Sequence, residues 1–291
     1  MAAPTTALGL RMPAGRGARA AVRALLYALV LAVFVLPLWT MVATVFSGVP
    51  LRLGELAVLP REFTFDNLST AFGYGVGRGL LNSAVVTGVG LFLQLTVSAF
   101  AAYALARKKF RGQALVLLAV LSTMMMPEEV IAIPLYLVLG ELPDPLGGGT
   151  LLNSYAGLVL PVVGWALPVY VLTGFMRTIP LELEESARAD GAGDFRIFAQ
   201  IVLPLCRPAL GTCAVFGFLM IWDQYLLPLL VAQTPDMYTL TLVVTNLSAS
   251  QEQGVGVRMA ASLMLMIPSV LVYLGLQRLF ESGLLSGSLK G

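Results

Sequence analysis

The sequence predicts an all-α protein that crosses a membrane six times. Three observations carry that expectation. The 291 residues are 58% hydrophobic and only 12% charged, where soluble domains carry about 25% charged residues. Six runs with few or no charges, at 24–46, 80–106, 114–136, 155–176, 208–231 and 259–277, are each near the roughly 20 residues that a spanning helix needs. The basic residues are also unevenly placed. Of the 18 lysines and arginines, 14 precede the first run, lie between the second and third or the fourth and fifth, or follow the sixth. The positive-inside rule then places both termini in the cytoplasm.

Residues 1–20 form a short cytoplasmic tail with Arg11, Arg16 and Arg19 and no acid. The run at 24–46 is too long for a typical signal-peptide core and reads as an uncleaved first span. A polar stretch, 47–79, leads to the second span. Asn82 near its start can cap that helix or touch a solute, and Gln94 within it suits an interhelical hydrogen bond. The basic turn Lys108-Lys109-Phe110-Arg111 follows. The third span meets Pro127-Glu128-Glu129 and Pro134, and is expected to bend or end there. Glu128 and Glu129 then belong near the outer face, in contact with solvent or a partner, because a charge at mid-membrane costs about 2.5–3.5 kcal/mol on insertion scales. Met124, Met125 and Met126 read as flexible packing. A glycine-rich loop at 141–154 joins the fourth span. The fifth is read as one helix over 208–231 carrying Asp223. A polar loop, 232–258, precedes the sixth. Residues 21–291 thus form one transmembrane domain.

Between the fourth and fifth spans lies the longest polar interruption assigned to the cytoplasm, 177–207. Pro180 suits the first turn of a helix. Glu182, Glu184 and Glu185 suit the positive end of its dipole. Gly191 stops it in a left-handed conformation. Asp194 can cap a second helix, whose apolar face is read as Phe195, Phe198, Ile201 and Val202 and whose end is set by Pro204. The expectation is two short helices around a glycine elbow.

The composition also excludes chemistry. The chain has no histidine, which removes Ser-His-Asp, Cys-His and HExxH arrangements. Cys206 and Cys213 are too few and too ill-spaced for a disulfide framework or a zinc site. No GxxxxGK[ST] phosphate loop occurs. A net charge of +2 offers no broad basic footprint, and nucleic acid is not expected as a partner.

Glu185-Ser186-Ala187, then Gly191, then Ile201-Val202-Leu203-Pro204 resembles the elbow of the permease subunits of bacterial ABC importers, with Ser186 in place of an alanine. Leu81-Asn82-Ser83, Ala102-Tyr103-Ala104 with Arg107, Ile133-Pro134-Leu135-Tyr136 and the Lys290-Gly291 ending are similar to the carbohydrate-importer branch, in particular the second permease subunit of maltose-type systems. The resemblance implies a type I importer transmembrane domain in a bacterial or archaeal cell membrane, in contact with lipid. Its implied partners are a second homologous permease, two ATPase subunits and an extracytoplasmic solute-binding protein, and its implied solute is a sugar or oligosaccharide. It also implies that Glu185, Ser186, Ala187, Asp190, Gly191, Ala192, Ile201, Leu203 and Pro204 couple this chain to the ATPase. ATP and magnesium would sit on that ATPase, with no cofactor on this chain.

One departure stands out. Where the family has Trp-Asn-Asp/Glu-Phe, this sequence has Trp222-Asp223-Gln224-Tyr225, which turns the carboxylate by about 100° around a helix. Asp223 is either a solute contact or a structural partner at the outer interface. Trp222 and Tyr225 either stack on a sugar ring or anchor at the membrane interface. With Gln224 and Asn82, these are the solute-path candidates. The alternative reading, a membrane-embedded transferase, needs acids converging from several spans. A passive channel would have no use for the elbow.

Overall fold

The computed structural model describes residues 16–50, 58–249 and 254–288. Among these there is no strand, only two isolated bridges, Ser47 with Phe63 and Pro143 with Thr150. Helix α1 (Arg16–Val45) lies at the periphery. Its apolar side chains, Leu25 and Phe34 among them, are exposed, as suits a helix that faces lipid. A short helix, α2 (Asp66–Gly73), leads into α3 (Val76–Arg107), the second span. The helices α4 (Gln113–Thr123) and α5 (Glu128–Glu141) form the third apolar segment, α6 (Tyr155–Val163) and α7 (Ala166–Thr178) the fourth.

The elbow holds α8 (Glu182–Ala189) and α9 (Asp194–Ile197). A π-helical turn (Phe198–Val202) and α10 (Leu203–Leu205) continue α9. The fifth segment is α11 (Arg207–Trp222) and α12 (Leu226–Val231). A further helix, α13 (Leu240–Ala249), buries Leu240, Leu242, Val243 and Leu247 where the sequence reads as a polar loop. The last is α14 (Val255–Ser288). By length and composition four helical stretches can span a membrane, α6 and α7 counting together as one, and up to six can if the bent pairs α4 with α5 and α9–α10 with α11 each count as one.

The core is built around α3, which packs along α6, α7, α11 and α13. Its buried positions include Gly79, Ser83, Thr87, Gly90, Gln94, Ser98 and Ala102, small or polar residues recurring every three or four positions. Leu81, Val85, Phe92 and Phe100 point outward. This inverts a soluble helix. Lipid tails are as apolar as leucine, so burying leucine gains little, and close backbone approach and hydrogen bonds hold spans together instead. Gly217 of α11 shows how tight the approach is. A Cβ there would lie 2.5 Å from Oε1 of Gln94. Gln94 also donates through Nε2 to the Val162 carbonyl at 2.8 Å, the interhelical bond the sequence suggests.

Spans four and five are not the continuous helices the sequence suggests. The third segment bends by 101° between α4 and α5. The fourth is interrupted at Gly164-Trp165 and the fifth at Asp223–Tyr225. The three interruptions share one feature. A proline follows four residues after Thr123, Gly164 and Gln224, at Pro127, Pro168 and Pro228. Proline lacks the N–H that would pair with the carbonyl four residues back, and its ring crowds that carbonyl.

Candidate functional site

The elbow is built as a tight reversal. Asp190 caps α8 and Gly191 follows with φ +85°. The Ala192 N–H donates to the Ala187 carbonyl at 2.9 Å and the Gly191 N–H to the Arg188 carbonyl at 3.0 Å. These two bonds are the Schellman pattern, which satisfies carbonyls left open at a helix end and favours glycine at the left-handed position.

Several details differ from the sequence reading. Pro180 lies outside α8, whose first turn is closed by the Leu181 carbonyl. Asp194 makes no cap bond; Gly193 precedes α9, and Asp194 is its first residue. The Asp194 carboxylate instead contacts Lys108 at 2.5 Å and Arg188 at 3.4 Å. The hydrogen bond from Lys108 holds its carboxyl below the usual range. Pro204 does not end the second helix. The π turn widens the helix just before it, so the Leu203 N–H reaches back to the Phe198 carbonyl. The chain bends by 75° only at Cys206, between α10 and α11, with Pro208 opening α11.

The two faces of the elbow differ. Ile197, Phe198 and Val202 are buried with Tyr103, Met176 and Cys206, and Ala187, Ala192 and Leu203 pack on that cluster. Glu185, Ser186, Asp190 and Gly191 are exposed. So are Leu181, Leu183 and Phe195. Phe195 therefore does not join the apolar face assigned to it, which runs through Ile197, Phe198 and Val202 instead. Sequence reasoning also missed Glu184. It is 1% exposed, and its Oε1 lies 2.6 Å from Nε of Arg107, itself 4% exposed. Arg107 further donates to the Ile179 carbonyl at 2.8 Å. Arg107 closing the second span was visible in the sequence; its partner was not.

The three interrupted segments meet around a cavity of about 280 Å³. Met124, Met126, Trp165 and Met220 supply much of its wall, and Glu128 and Gln224 supply polar groups. The Gln224 amide donates to the Glu128 carboxylate, joining the third segment to the fifth. Helices broken around a cavity leave backbone groups and side chains free to meet a ligand.

The solute-path candidates fall differently around it. Gln224 lines the cavity. Trp222 is 3% exposed, donates to the Leu265 carbonyl at 2.9 Å and stacks on Phe218, so its ring is occupied by α14. Asp223 is not inside a helix. It follows the last turn of α11 and is exposed. Tyr225 is exposed beside it. Asn82 does not cap α3, which begins after Gly75. It is fully buried, donates to the carbonyls of Asp236 and Tyr238 and accepts from the Tyr155 hydroxyl, so it ties α3 to the loop before α13. Trp165, which no sequence argument singled out, is the aromatic that faces the cavity. Pro168 three residues later was the available signal.

Comparison with known proteins places these features. Residues 94–286 match the family described as binding-protein-dependent transport system inner membrane component. The chain is 33% identical over 284 residues to a trehalose transport system permease protein of Mycobacterium tuberculosis, covering 94% of this chain and 98% of that one. It is 32% identical over 258 residues to a diacetylchitobiose uptake system permease protein of Streptomyces coelicolor, covering 87% and 83%. It is 36% identical over 246 residues to an alpha-glucoside transport system permease protein of Rhizobium meliloti, covering 82% of this chain and spanning 64% of that relative's length. Its fold is similar to a chain in the crystal structure of a bacterial ABC transporter involved in import of the acidic polysaccharide alginate. There the TM-score is 0.77 at 22% identity, over 92% of this chain and 99% of the other.

Proposed function

The chain belongs to the family of binding-protein-dependent transport system inner membrane components, and from that premise we propose that it forms half of the translocation pathway of an ATP-driven importer for an oligosaccharide. The family is one of transport subunits, so the transferase alternative falls away. In this reading both termini and the elbow face the cytoplasm, where ATP and magnesium are held by two copies of a separate ATPase. A second, similar permease completes the pathway, and an extracytoplasmic binding protein delivers the solute.

The two-faced elbow carries the proposal. A helical reversal anchored on its inner face by buried side chains presents Glu185, Asp190 and Gly191 together with Leu181, Leu183 and Phe195 outward. Exposed apolar groups rimmed by charge suit a docking site, and a cleft on the ATPase is the surface assigned to them. When the ATPases close they move the elbows, and the cavity changes from inward- to outward-facing. Ser186, Ala187, Ala192, Ile201, Leu203 and Pro204 keep the elbow's shape.

The sugar class rests on the relatives, whose names specify trehalose, diacetylchitobiose and alpha-glucosides. The cavity is consistent with it. Trp165 offers a face for a sugar ring, and Gln224 and Glu128 offer hydroxyl partners. The test is uptake by the complete complex in proteoliposomes charged with ATP, using labelled di- and trisaccharides and an amino acid control. ATP-dependent accumulation of a saccharide is expected. Trp165→Ala should raise the concentration for half-maximal uptake roughly three- to tenfold, taking a stacking contact as worth about 1 kcal/mol. Uptake of the amino acid alone would overturn the sugar assignment.

A further inference from the structure

The second span is not next to the elbow in the chain, yet it is bolted to it. Arg107, the last residue of α3, meets Glu184 of α8 at 2.6 Å and the Ile179 carbonyl at 2.8 Å. Lys108, one residue on, meets Asp194 of α9. Arg177 donates back to the Leu105 carbonyl at 3.3 Å. Of these contacts only Arg107–Glu184 is a buried ion pair, 4% and 1% exposed. Such a pair is weak evidence for stability, since removing two charges from water offsets their attraction, but it fixes geometry because neither partner can be left alone.

Toward its middle, α3 makes a second buried polar contact, from Gln94 Nε2 to the Val162 carbonyl. Val162 sits two residues before the Gly164-Trp165 interruption, and all three line the cavity. Gln94 and Arg107 stand 13 positions apart on uninterrupted helix, a length of roughly 20 Å. The fourth and fifth segments flank the elbow in sequence but are both broken between it and the outer end. The α3 helix is unbroken over the same height.

We propose that α3 is a coupling rod, taking up displacement of the elbow through Arg107–Glu184 and delivering it to the cavity wall through Gln94 and the Val162 carbonyl. Arg107, Glu184 and Gln94 are positioning residues here. All three side chains are buried, away from the exposed face of the elbow. This inference rests on the importer reading above. It adds that the signal travels along the second span, which the elbow's place in the sequence does not suggest.

The experiment uses the reconstituted complex with its ATPase and binding protein. It compares Glu184→Gln, the paired apolar change Arg107→Met with Glu184→Met, and Gln94→Leu. Three quantities are read: disulfide crosslinking of a cysteine at the exposed position 189 to the ATPase cleft, ATP hydrolysis stimulated by loaded binding protein, and solute moved per ATP. The paired apolar change removes both buried charges, so it keeps the fold testable if Glu184→Gln fails to assemble. Crosslinking is expected to persist in the paired and Gln94 variants while solute moved per ATP falls at least tenfold. Loss of crosslinking in the paired variant would show that the ion pair only shapes the elbow. Wild-type transport per ATP in that variant would remove the input end. Wild-type transport per ATP in Gln94→Leu would remove the output end. If the unaltered complex neither crosslinks nor hydrolyses ATP in response to the binding protein, the importer reading itself fails, a result distinct from each of these.

Discussion

Gly191 shows how far one residue can be read. Its place after an acidic helix start predicts a left-handed turn, and φ is +85° with two Schellman bonds around it. A Cβ built on Gly191 meets nothing within 4 Å, so the cost of a side chain there is conformational, roughly 1–2 kcal/mol. Gly191→Ala should therefore reduce uptake moderately. Gly191→Val should reduce it further, because β-branching narrows the allowed backbone, and both should leave membrane-inserted protein at wild-type levels on an immunoblot. Glu184 is the opposite case. Its neighbour Glu185 is exposed and Glu184 is buried, yet both belong to the same acidic helix start. Which of two adjacent carboxylates turns inward depends on where the far end of α3 arrives, about 77 residues earlier in the chain, and local pattern carries no trace of that. The two tryptophans differ for a related reason: Trp222 is stacked on Phe218 and bonded to α14, while Trp165 lines the cavity.

At the level of elements, existence was legible and continuity was not. Six apolar runs are present, because an apolar run of spanning length leaves few alternatives. Pro127, Pro168 and Pro228 each stand four residues past a break. Only the first reads as a break in the sequence, because its neighbours Glu128 and Glu129 also argue against a straight helix. Proline is tolerated in membrane helices when neighbours satisfy the freed groups, so proline alone does not separate a kink from a break. The helix α13 lies in a segment that reads as polar. Helix contacts around α3 depend on small residues, and Gly217→Ala tests that dependence. The new methyl would lie 2.5 Å from Gln94 Oε1 and must displace the glutamine from the Val162 carbonyl. Overpacking of this kind costs about 1–3 kcal/mol. A lower melting temperature of the purified complex in detergent is expected, and an unchanged one would show that Gln94 yields without loss.

Among the described residues, the unbroken α3 packs along α6, α7 and α11, whose segments are interrupted at the level of a cavity. The uneven placement of lysine and arginine predicts an orientation with the elbow in the cytoplasm. Cysteines at Lys109 and Gly148 should behave oppositely toward an impermeant thiol reagent in intact cells: position 109 protected, position 148 labelled. The reverse pattern would invert the molecule and put the elbow outside. Within that orientation the account depends on the elbow being where ATP hydrolysis enters. The most direct measurement is oxidative crosslinking between a cysteine at the exposed Ala189 and cysteines placed along the cleft of the ATPase, in an assembled complex that is transporting solute. The account predicts a crosslink at one or a few adjacent cleft positions, with its yield changing when ATP is bound. An intact, transporting complex in which no cleft position crosslinks would contradict it.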